Sequence, residues 1–144
     1  SIVLNWVVQM KKLALIAHDG RKDALIEWAK THRDFLRTRE IVATGTTGLR
    51  LQQEVGLAVH RFKSGPLGGD LQIGALVCEE QIEAVFFLRD PLTPHPHEPD
   101  ISALMKVCDT YNVPLATNVA SANLLVFGLD GAPENLDETE ILGA

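Results

Sequence analysis

The stretch Ala84-Val-Phe-Phe-Leu88, followed by Arg89-Asp90-Pro91, decides the fold. Five consecutive apolar residues are typical of a strand that helices cover on both faces, and such strands belong to parallel sheets. A polar turn with a proline then ends the strand. The run therefore predicts a buried strand of an α/β domain, with chemistry-bearing residues just after its carboxyl end.

On both sides of this strand, apolar runs alternate with helical patterns. Strands are predicted at 13–17, 40–44, 58–62, 84–88 and 115–117, and helices at 22–31, 46–55, 69–80, 100–111 and from 121. Because strands and helices alternate throughout, the fold class is α/β. We predict one domain with a parallel sheet of about five strands and helices on both faces.

Charge and length divide the chain into three predicted segments. The formal net charge is −6, and the segment from Asp130 to Glu140 holds five acids and no Lys or Arg. We predict a catalytic domain at 10–128 and an acidic tail at 129–144, so nucleic acid is not an expected partner. Residues 1–9 are interpreted as an extension or remnant. Their apolar run is too short to span a membrane and lacks the features of a signal peptide.

The two cysteines indicate a reducing compartment. Cys78 and Cys108 have neither metal-type nor redox-type spacing, and both fall in apolar runs. We expect both to be buried and reduced, as in a cytoplasmic protein.

Polar residues follow each predicted strand. Since ligands of open parallel sheets bind beyond the carboxyl ends of the strands, these residues are candidates for one site. They are His18-Asp19-Gly20, Thr44–Gly48, Ser64–Asp70, Asp90-Pro91 and Thr117-Asn118.

The segment Thr44–Gly48 is suited to binding phosphate. Its two glycines permit close approach of the backbone, and the helix-start N–H groups and three threonine hydroxyls could surround an anion. Lys22, at the start of the first helix, opposes the helix dipole, which suggests a binding role. The alternatives are a threonine-capped helix start and a solvated lysine.

The loop Ser64–Asp70 is suited to fixing a carboxylate. Four of its seven residues are Gly or Pro, so the backbone is constrained and some positions need positive φ. Asp70 would lie in the first turn of the next helix, where it could be a general base or simply an acid favoured by the dipole. His18 could alternatively be a buried histidine of the core with its hydrogen bonds satisfied.

The segment 90–100 combines His95, His97, Asp90 and Asp100 with four prolines. Two histidines among carboxylates could indicate a metal site. No third ligand is convincingly placed, however, and no HExxH pattern occurs, so metal is not expected. Asp100 could alternatively cap the fourth helix.

Six motifs in register resemble methylglyoxal synthases over about Met10 to Leu125. They are Ala-His-Asp at 17–19, Ala-Thr-Gly-Thr-Thr-Gly at 43–48, Ser-Gly-Pro-Leu-Gly-Gly-Asp at 64–70, Arg-Asp-Pro-Leu at 89–92, Pro-His-Glu-Pro-Asp at 96–100 and Ala-Thr-Asn at 116–118.

The resemblance implies a lyase that converts dihydroxyacetone phosphate to methylglyoxal and inorganic phosphate. It implies Asp70 as the base that removes a carbon-bound proton and His97 as the group that polarises the substrate's oxygens. Asp100, Asp19 and Asp90 would orient or tune these groups. The substrate, mainly its phosphate, would be held by His18, Lys22, Thr44, Gly45, Thr46, Thr47, Ser64 and Gly65.

The resemblance also implies a homohexamer that needs no metal or cofactor and serves a cytoplasmic bypass of glycolysis. Inorganic phosphate would be a product and a possible inhibitor. The sequence departs from the family after about Leu125, because no basic residue follows Lys106. A basic carboxy-terminal residue that reaches a neighbouring active site is therefore not evident.

Two other functions are alternatives. Regulatory domains of the same superfamily, attached to carbamoyl phosphate synthetases, keep the phosphate cradle but need not keep the acids. The presence of Asp70, His97 and Asp100 favours the enzyme. A nucleotide-binding α/β protein would be expected to show a GxGxxG or Walker pattern, and neither is present.

Overall fold

A five-stranded sheet, with every strand pair parallel, forms the centre of the computed structural model, which describes residues 11–130. Its spatial order is β3-β2-β1-β4-β5. The strands are β1 (Lys12–Ala17), β2 (Glu40–Ala43), β3 (Val59–Arg61), β4 (Ile82–Leu88) and β5 (Leu115–Ala116). The predicted parallel five-stranded sheet is confirmed. The predicted extension at 1–9 and all but the first two residues of the predicted tail lie outside the described residues.

The helices follow the predicted alternation with some changes of boundary. They are α1 (Lys22–Thr31), α2 (Arg33–Leu36), α3 (Gly45–Arg50), α4 (Gly69–Cys78), α5 (Glu98–Thr110) and α6 (Val119–Asp130). The predicted helix at 46–55 is in two parts, because a π-helical turn over Leu51–Val55 continues α3. Short 3₁₀ turns precede α1 and α4. Within residues 11–130, no helix is both long enough and apolar enough to cross a bilayer.

Alternate residues of β4 contribute to two separate cores, as expected for a sheet covered on both faces. Phe86 is fully buried in the core that α1 and α6 cover, where Trp28 lies against it. Phe87 is buried in the core that α4 and α5 cover. Helices on both faces are therefore confirmed.

One expectation about the cysteines is wrong. Cys108 is buried in the core under α5, but Cys78 is exposed. Cys78 is the last residue of α4 and lies about 140° around the helix from the buried Ile73, at about 100° per residue. It therefore faces away from the core although it ends an apolar run.

The strand order places a topological switch point between β1 and β4. From β1 the chain proceeds outward through β2 to β3, whereas β5 lies beyond β4 on the other side. The loops that leave β1 and β4 therefore diverge and open a crevice at their carboxyl ends. The backbone N–H of His18 donates to the Leu88 carbonyl at 3.1 Å, which ties the two strand ends together.

Candidate active site

A cavity of about 280 Å³ opens at this switch point. Nine of the thirteen residues predicted for the site line it: His18, Asp19, Lys22, Thr44, Thr46, Ser64, Gly65, Asp70 and His97. The other lining residues are Ile16, Ala17, Pro66, Phe87 and His95. The polar residues that follow the first four strands are thus brought together, since parallel strands end at the same edge of the sheet.

The carboxylate of Asp70 lies at the inner wall of the cavity. It is in the first turn of α4, as predicted, and the residue is 0 % exposed. Neither carboxylate oxygen has a hydrogen-bond partner among the described residues. Burial raises the pKa of Asp70, with the His97 imidazole opposing that rise and Asp100 adding to it. A carboxylate in this setting is a stronger base than one in water.

Glycines at the start of α4 hold Asp70 in this position. Gly68 has φ +101°, which confirms the predicted need for positive φ in this loop. Gly69 packs directly on the Lys63 backbone, because a Cβ at Gly69 would lie 1.9 Å from the Lys63 carbonyl oxygen. The first residue of α4 is therefore packed so closely on the segment after β3 that it has no room for a side chain.

His97 faces Asp70 across a narrow gap. Its Nε2 atom is 3.6 Å from Asp70 Oδ2, which is close enough for an electrostatic contact but too long for a direct hydrogen bond. Its Nδ1 atom is buried without a hydrogen-bond partner among the described residues. A Cβ at Gly65 would lie 3.0 Å from His97 Nε2 and 3.4 Å from Asp70 Oδ2. Gly65 therefore leaves room beside both reactive groups.

His18 presents a neutral imidazole to the cavity. Burial, together with His95 and His97, lowers the pKa of His18 to about 4. The Asp90 N–H donates to His18 Nδ1 at 2.8 Å, so the proton of the neutral ring is on Nε2. Nε2 is buried and has no partner among residues 11–130. His18 is thus an uncharged donor at neutral pH.

A lysine and the start of α3 form the polar side of the cavity. Lys22 Nζ donates to Thr46 Oγ1 at 2.5 Å and to Asp19 Oδ1 at 2.7 Å. Lys22 in turn lowers the pKa of Asp19 by hydrogen bond and by charge. The Thr44 side chain makes no cap hydrogen bond, so the threonine-capping alternative lacks support.

Two more of the predicted residues lie behind this polar wall. Gly45 and Thr47 are buried in the first turn of α3. The Thr47 hydroxyl is buried without a partner among the described residues. The first-turn N–H groups of α3 at Thr46 and Thr47 have no intrahelical acceptor. This combination of a cation, hydroxyls and N–H groups is suited to an anion.

Two predicted carboxylates do not line the cavity. The Asp90 carboxylate accepts from the Leu92 N–H at 3.1 Å within its own loop. Hydrogen bonds from Thr93 and Leu92 lower the pKa of Asp90. The Asp90 backbone, rather than its side chain, contacts His18. Asp100 is in the first turn of α5, whose preceding residue is His97, so the capping alternative for Asp100 is wrong.

His95 is a cavity residue that the sequence did not predict for the site. Its ring stacks on that of His18 at a centroid distance of 3.7 Å and an angle of 22°. The His-x-His spacing indicated it only as a possible metal ligand. Among residues 11–130, no group of three or more His, Cys, Asp or Glu side chains is arranged to hold a metal ion.

The fold and the site first define a class of protein. A buried carboxylate, three imidazoles and the start of α3 meet at the switch point of a parallel sheet. The sequence model of the MGS-like domain matches residues 24–117. A crystal structure of methylglyoxal synthase from Elizabethkingia anophelis superposes with a TM-score of 0.78 at 35% identity, covering 94% of this chain and 92% of that one.

Curated relatives then narrow the class to one family. Methylglyoxal synthase of Cupriavidus taiwanensis is 62% identical over 118 residues, which is 82% of this chain and 89% of the relative. That of Carboxydothermus hydrogenoformans is 58% identical over 121 residues, covering 84% and 100% of the two chains. The chain belongs to the methylglyoxal synthase family, and it is an enzyme of this kind, a lyase.

Proposed function

We propose that this enzyme converts dihydroxyacetone phosphate to methylglyoxal and inorganic phosphate, with Asp70 as the general base. The observation that carries the proposal is the buried Asp70 carboxylate, which has no hydrogen-bond partner among residues 11–130. It lies beside His97, in one cavity with the polar groups of Lys22 and α3. The base and the anion-binding groups are thus on walls of the same small space. A small phosphorylated triose is the substrate class that fits it.

The first step is proton abstraction beside a ketone. The Asp70 carboxylate takes a proton from the hydroxymethyl carbon, and the C–H electron pair becomes the double bond of an enediolate. Negative charge then develops on the substrate oxygens, where preorganised donors stabilise it. His97 and the Nε2–H of His18 are the proposed donors. Triosephosphate isomerase combines a carboxylate base and a neutral histidine in the same way.

The second step is loss of phosphate from the enediolate. The C–O bond to phosphate breaks with its electron pair leaving on phosphate, and the C=C pair of the enediolate shifts to the carbon that carried the phosphate. The terminal hydroxyl gives its proton to the central oxygen, and a lone pair of the terminal oxygen forms the aldehyde C=O. The resulting enol becomes methylglyoxal by tautomerisation. This elimination requires the C–O bond to lie parallel to the π orbitals. We propose that Lys22, Thr44, Gly45, Thr46, Thr47, Ser64 and Gly65 hold the phosphate in that torsion and stabilise the departing anion.

The acids beyond Asp70 have supporting roles in this proposal. Asp19 orients Lys22 through the 2.7 Å hydrogen bond. Asp100 helps to keep the pKa of Asp70 high. Asp90 orients His18 through its backbone N–H. Each of these acids therefore acts through another residue.

The direct test is incubation of the purified protein with dihydroxyacetone phosphate, with free phosphate and methylglyoxal assayed together. Equal release of both products supports the proposed reaction. Binding without turnover would instead indicate a regulatory domain of the same superfamily. Phosphate release without methylglyoxal would indicate a phosphatase.

Removing parts of the anion site is expected to weaken phosphate and substrate alike. Lys22→Ala removes a cation that lies within hydrogen-bond distance of Thr46, and Thr47→Val removes a buried hydroxyl while keeping the shape. A charge-assisted hydrogen bond contributes about 1.5–3 kcal/mol, so Lys22→Ala should lower phosphate affinity about tenfold or more. Calorimetric titration with inorganic phosphate measures this. Unchanged affinity in both variants would place the anion elsewhere.

His97→Ala is expected to discriminate between two ligands. An enediolate analogue such as phosphoglycolohydroxamate should lose about 10²-fold or more in affinity, because one preorganised donor contributes on the order of 3 kcal/mol to a developing oxyanion. Inorganic phosphate should bind almost as it does to the unsubstituted enzyme. Competition against substrate measures both affinities. Equal losses for the two ligands would show that His97 contacts the phosphate instead.

We also propose the wider setting that the family resemblance implies. The enzyme would act in the cytoplasm as a homohexamer, in a bypass of glycolysis, with 10–128 as its catalytic unit. The exposed apolar side chains of α6, Leu124 and Phe127, are consistent with assembly. Inorganic phosphate would act as a competitive product inhibitor at the anion site.

A further inference from the structure

Asp90 holds His18 as a hydrogen-bond donor. Its N–H donates to Nδ1 of His18 at 2.8 Å, which leaves the single proton of the neutral ring on Nε2. In the proposed function that N–H donates to the substrate, and the role of His95 inferred below rests on that function. The ring keeps this hydrogen bond only while its orientation is fixed and Nδ1 carries no proton, because a second proton would lie on Nδ1 and face the Asp90 N–H.

Within residues 11–130, two of the three aromatic rings around the His18 imidazole have centroids within 5.0 Å of it, while that of His97 is 6.1 Å away. The Phe87 ring meets it edge-on at 5.0 Å and 76°, and the His95 ring stacks on it at 3.7 Å and 22°. Phe87 belongs to β4 and is buried in the core under α4 and α5. His95 belongs to the loop that joins β4 to α5 and is the only stacked ring on His18 among the described residues.

The loop itself is built to hold His95 in place. Pro94 and Pro96 flank it, so φ is restricted on both sides and His95 is biased toward extended backbone. His95 Nε2 lies 3.4 Å from the Asp90 carbonyl oxygen. The backbone of Asp90 thus contacts both imidazoles, with its N–H on His18 and its carbonyl toward His95.

We propose that His95 is a positioning residue, whose stacked ring keeps His18 oriented as an Nε2–H donor to the substrate and shields it from water. The stacking distance places the His95 ring directly over the ring of His18, and His18 is only 5 % exposed. The titratable and charged groups that interact with one ring or the other are His97, Arg89, Asp19, Asp90 and Glu98. Arg21 acts on Asp90. Burial, then His95 and His97, lowers the pKa of His18, while Glu98 opposes this.

The test compares His95→Ala and His95→Gln, which remove the ring, with His95→Phe, which keeps a ring that cannot titrate. The titration of His18 is followed by long-range ¹H–¹⁵N correlation spectra between pH 5 and pH 8. We expect the Ala and Gln variants to bring the pKa of His18 up into this window. In the Phe variant His18 should remain the Nε2–H tautomer throughout, as in the unsubstituted enzyme.

Kinetics provide the second readout. We expect kcat for dihydroxyacetone phosphate to fall about tenfold in the Ala and Gln variants, with KM changed less than about threefold, because His18 donates to charge that develops only as the proton is removed. Both constants should stay within about threefold in the Phe variant. Leu92→Ala is the matched control, because Leu92 is 90 % exposed in the same loop and does not line the cavity.

Two outcomes would overturn the role of His95. One is a His18 titration that neither Ala nor Gln changes. The other is a Phe variant that behaves like Ala, since this would mean that the imidazole itself contacts the substrate. Failure of the proposed function is distinguishable, because the unsubstituted enzyme would then produce no methylglyoxal whatever the His18 spectra show.

Discussion

Asp70→Asn is expected to lower kcat about 10³-fold or more, because the amide keeps the shape of the side chain but has no basic lone pair. Binding of substrate should survive or tighten, since a carboxylate close to a bound dianion repels it. Steady-state kinetics and calorimetry with phosphate measure the two effects. Asp109→Asn is the control, because Asp109 is an exposed acid on α5 away from the cavity.

The pH dependence of the unsubstituted enzyme should report the same carboxylate. Asp70 acts only when ionised, and burial raises its pKa above the ordinary value of 3.8. Activity should therefore fall with decreasing pH through that raised pKa, earlier than for an exposed carboxylate. Near-normal turnover of Asp70→Asn would contradict the assignment and point to Asp100 or Asp19 as the base.

The same substitution should stabilise the fold at neutral pH. A carboxyl whose pKa is higher in the folded state than in the unfolded state stabilises the fold when it is protonated. This stabilisation is complete below the pKa of the unfolded state and is lost as the pH rises through the pKa of the folded state. At pH 7 the ionised Asp70 is thus unfavourable, and asparagine removes its charge. We expect the Tm of Asp70→Asn to exceed that of the parent at pH 7, with the difference shrinking toward acid pH.

Gly69→Ala is expected to destabilise the protein by about 3 kcal/mol or more and to lower its Tm by roughly 10 °C. The new Cβ would lie 1.9 Å from the Lys63 carbonyl oxygen. That carbonyl is held by the Gly45 N–H, and the Lys63 N–H by the Gln72 side chain, so the backbone cannot move away cheaply. Thermal and urea unfolding measure the loss. Any enzyme that folds should also be slower, because α4 carries Asp70.

Gly74→Ala in the same helix is the matched control. A Cβ at Gly74 would meet Val107 and Leu104 side chains at 3.7 and 3.9 Å, which is ordinary van der Waals contact. Because alanine in a helix interior is favoured over glycine by about 0.5–1 kcal/mol, this variant should be slightly more stable than the parent. Equal stability of the two variants would show that α4 and the end of β3 can shift apart.

Several features of the candidate site could be predicted because their signals are local. The glycine-rich run before Asp70, the threonines after β2 and the lysine at the start of α1 are visible in short windows of sequence. His95 was missed for the opposite reason. Its partner His18 is distant in the chain, and only stacking in space gives it a place in the site. The sequence also did not show that the Asp90 carboxylate is held within its own loop, where it accepts from the Leu92 N–H.

The sequence by itself determined the parallel α/β architecture, because apolar runs such as 84–88 can be buried only between two layers of helices. It also determined that the polar loops share one edge of the sheet. Only the tertiary structure decided the strand order, the gap of 3.6 Å between Asp70 and His97, and the direction of each pKa shift. The physical reason is that desolvation and Coulomb interactions depend on which distant residues surround a group, and residue type and spacing do not specify those neighbours.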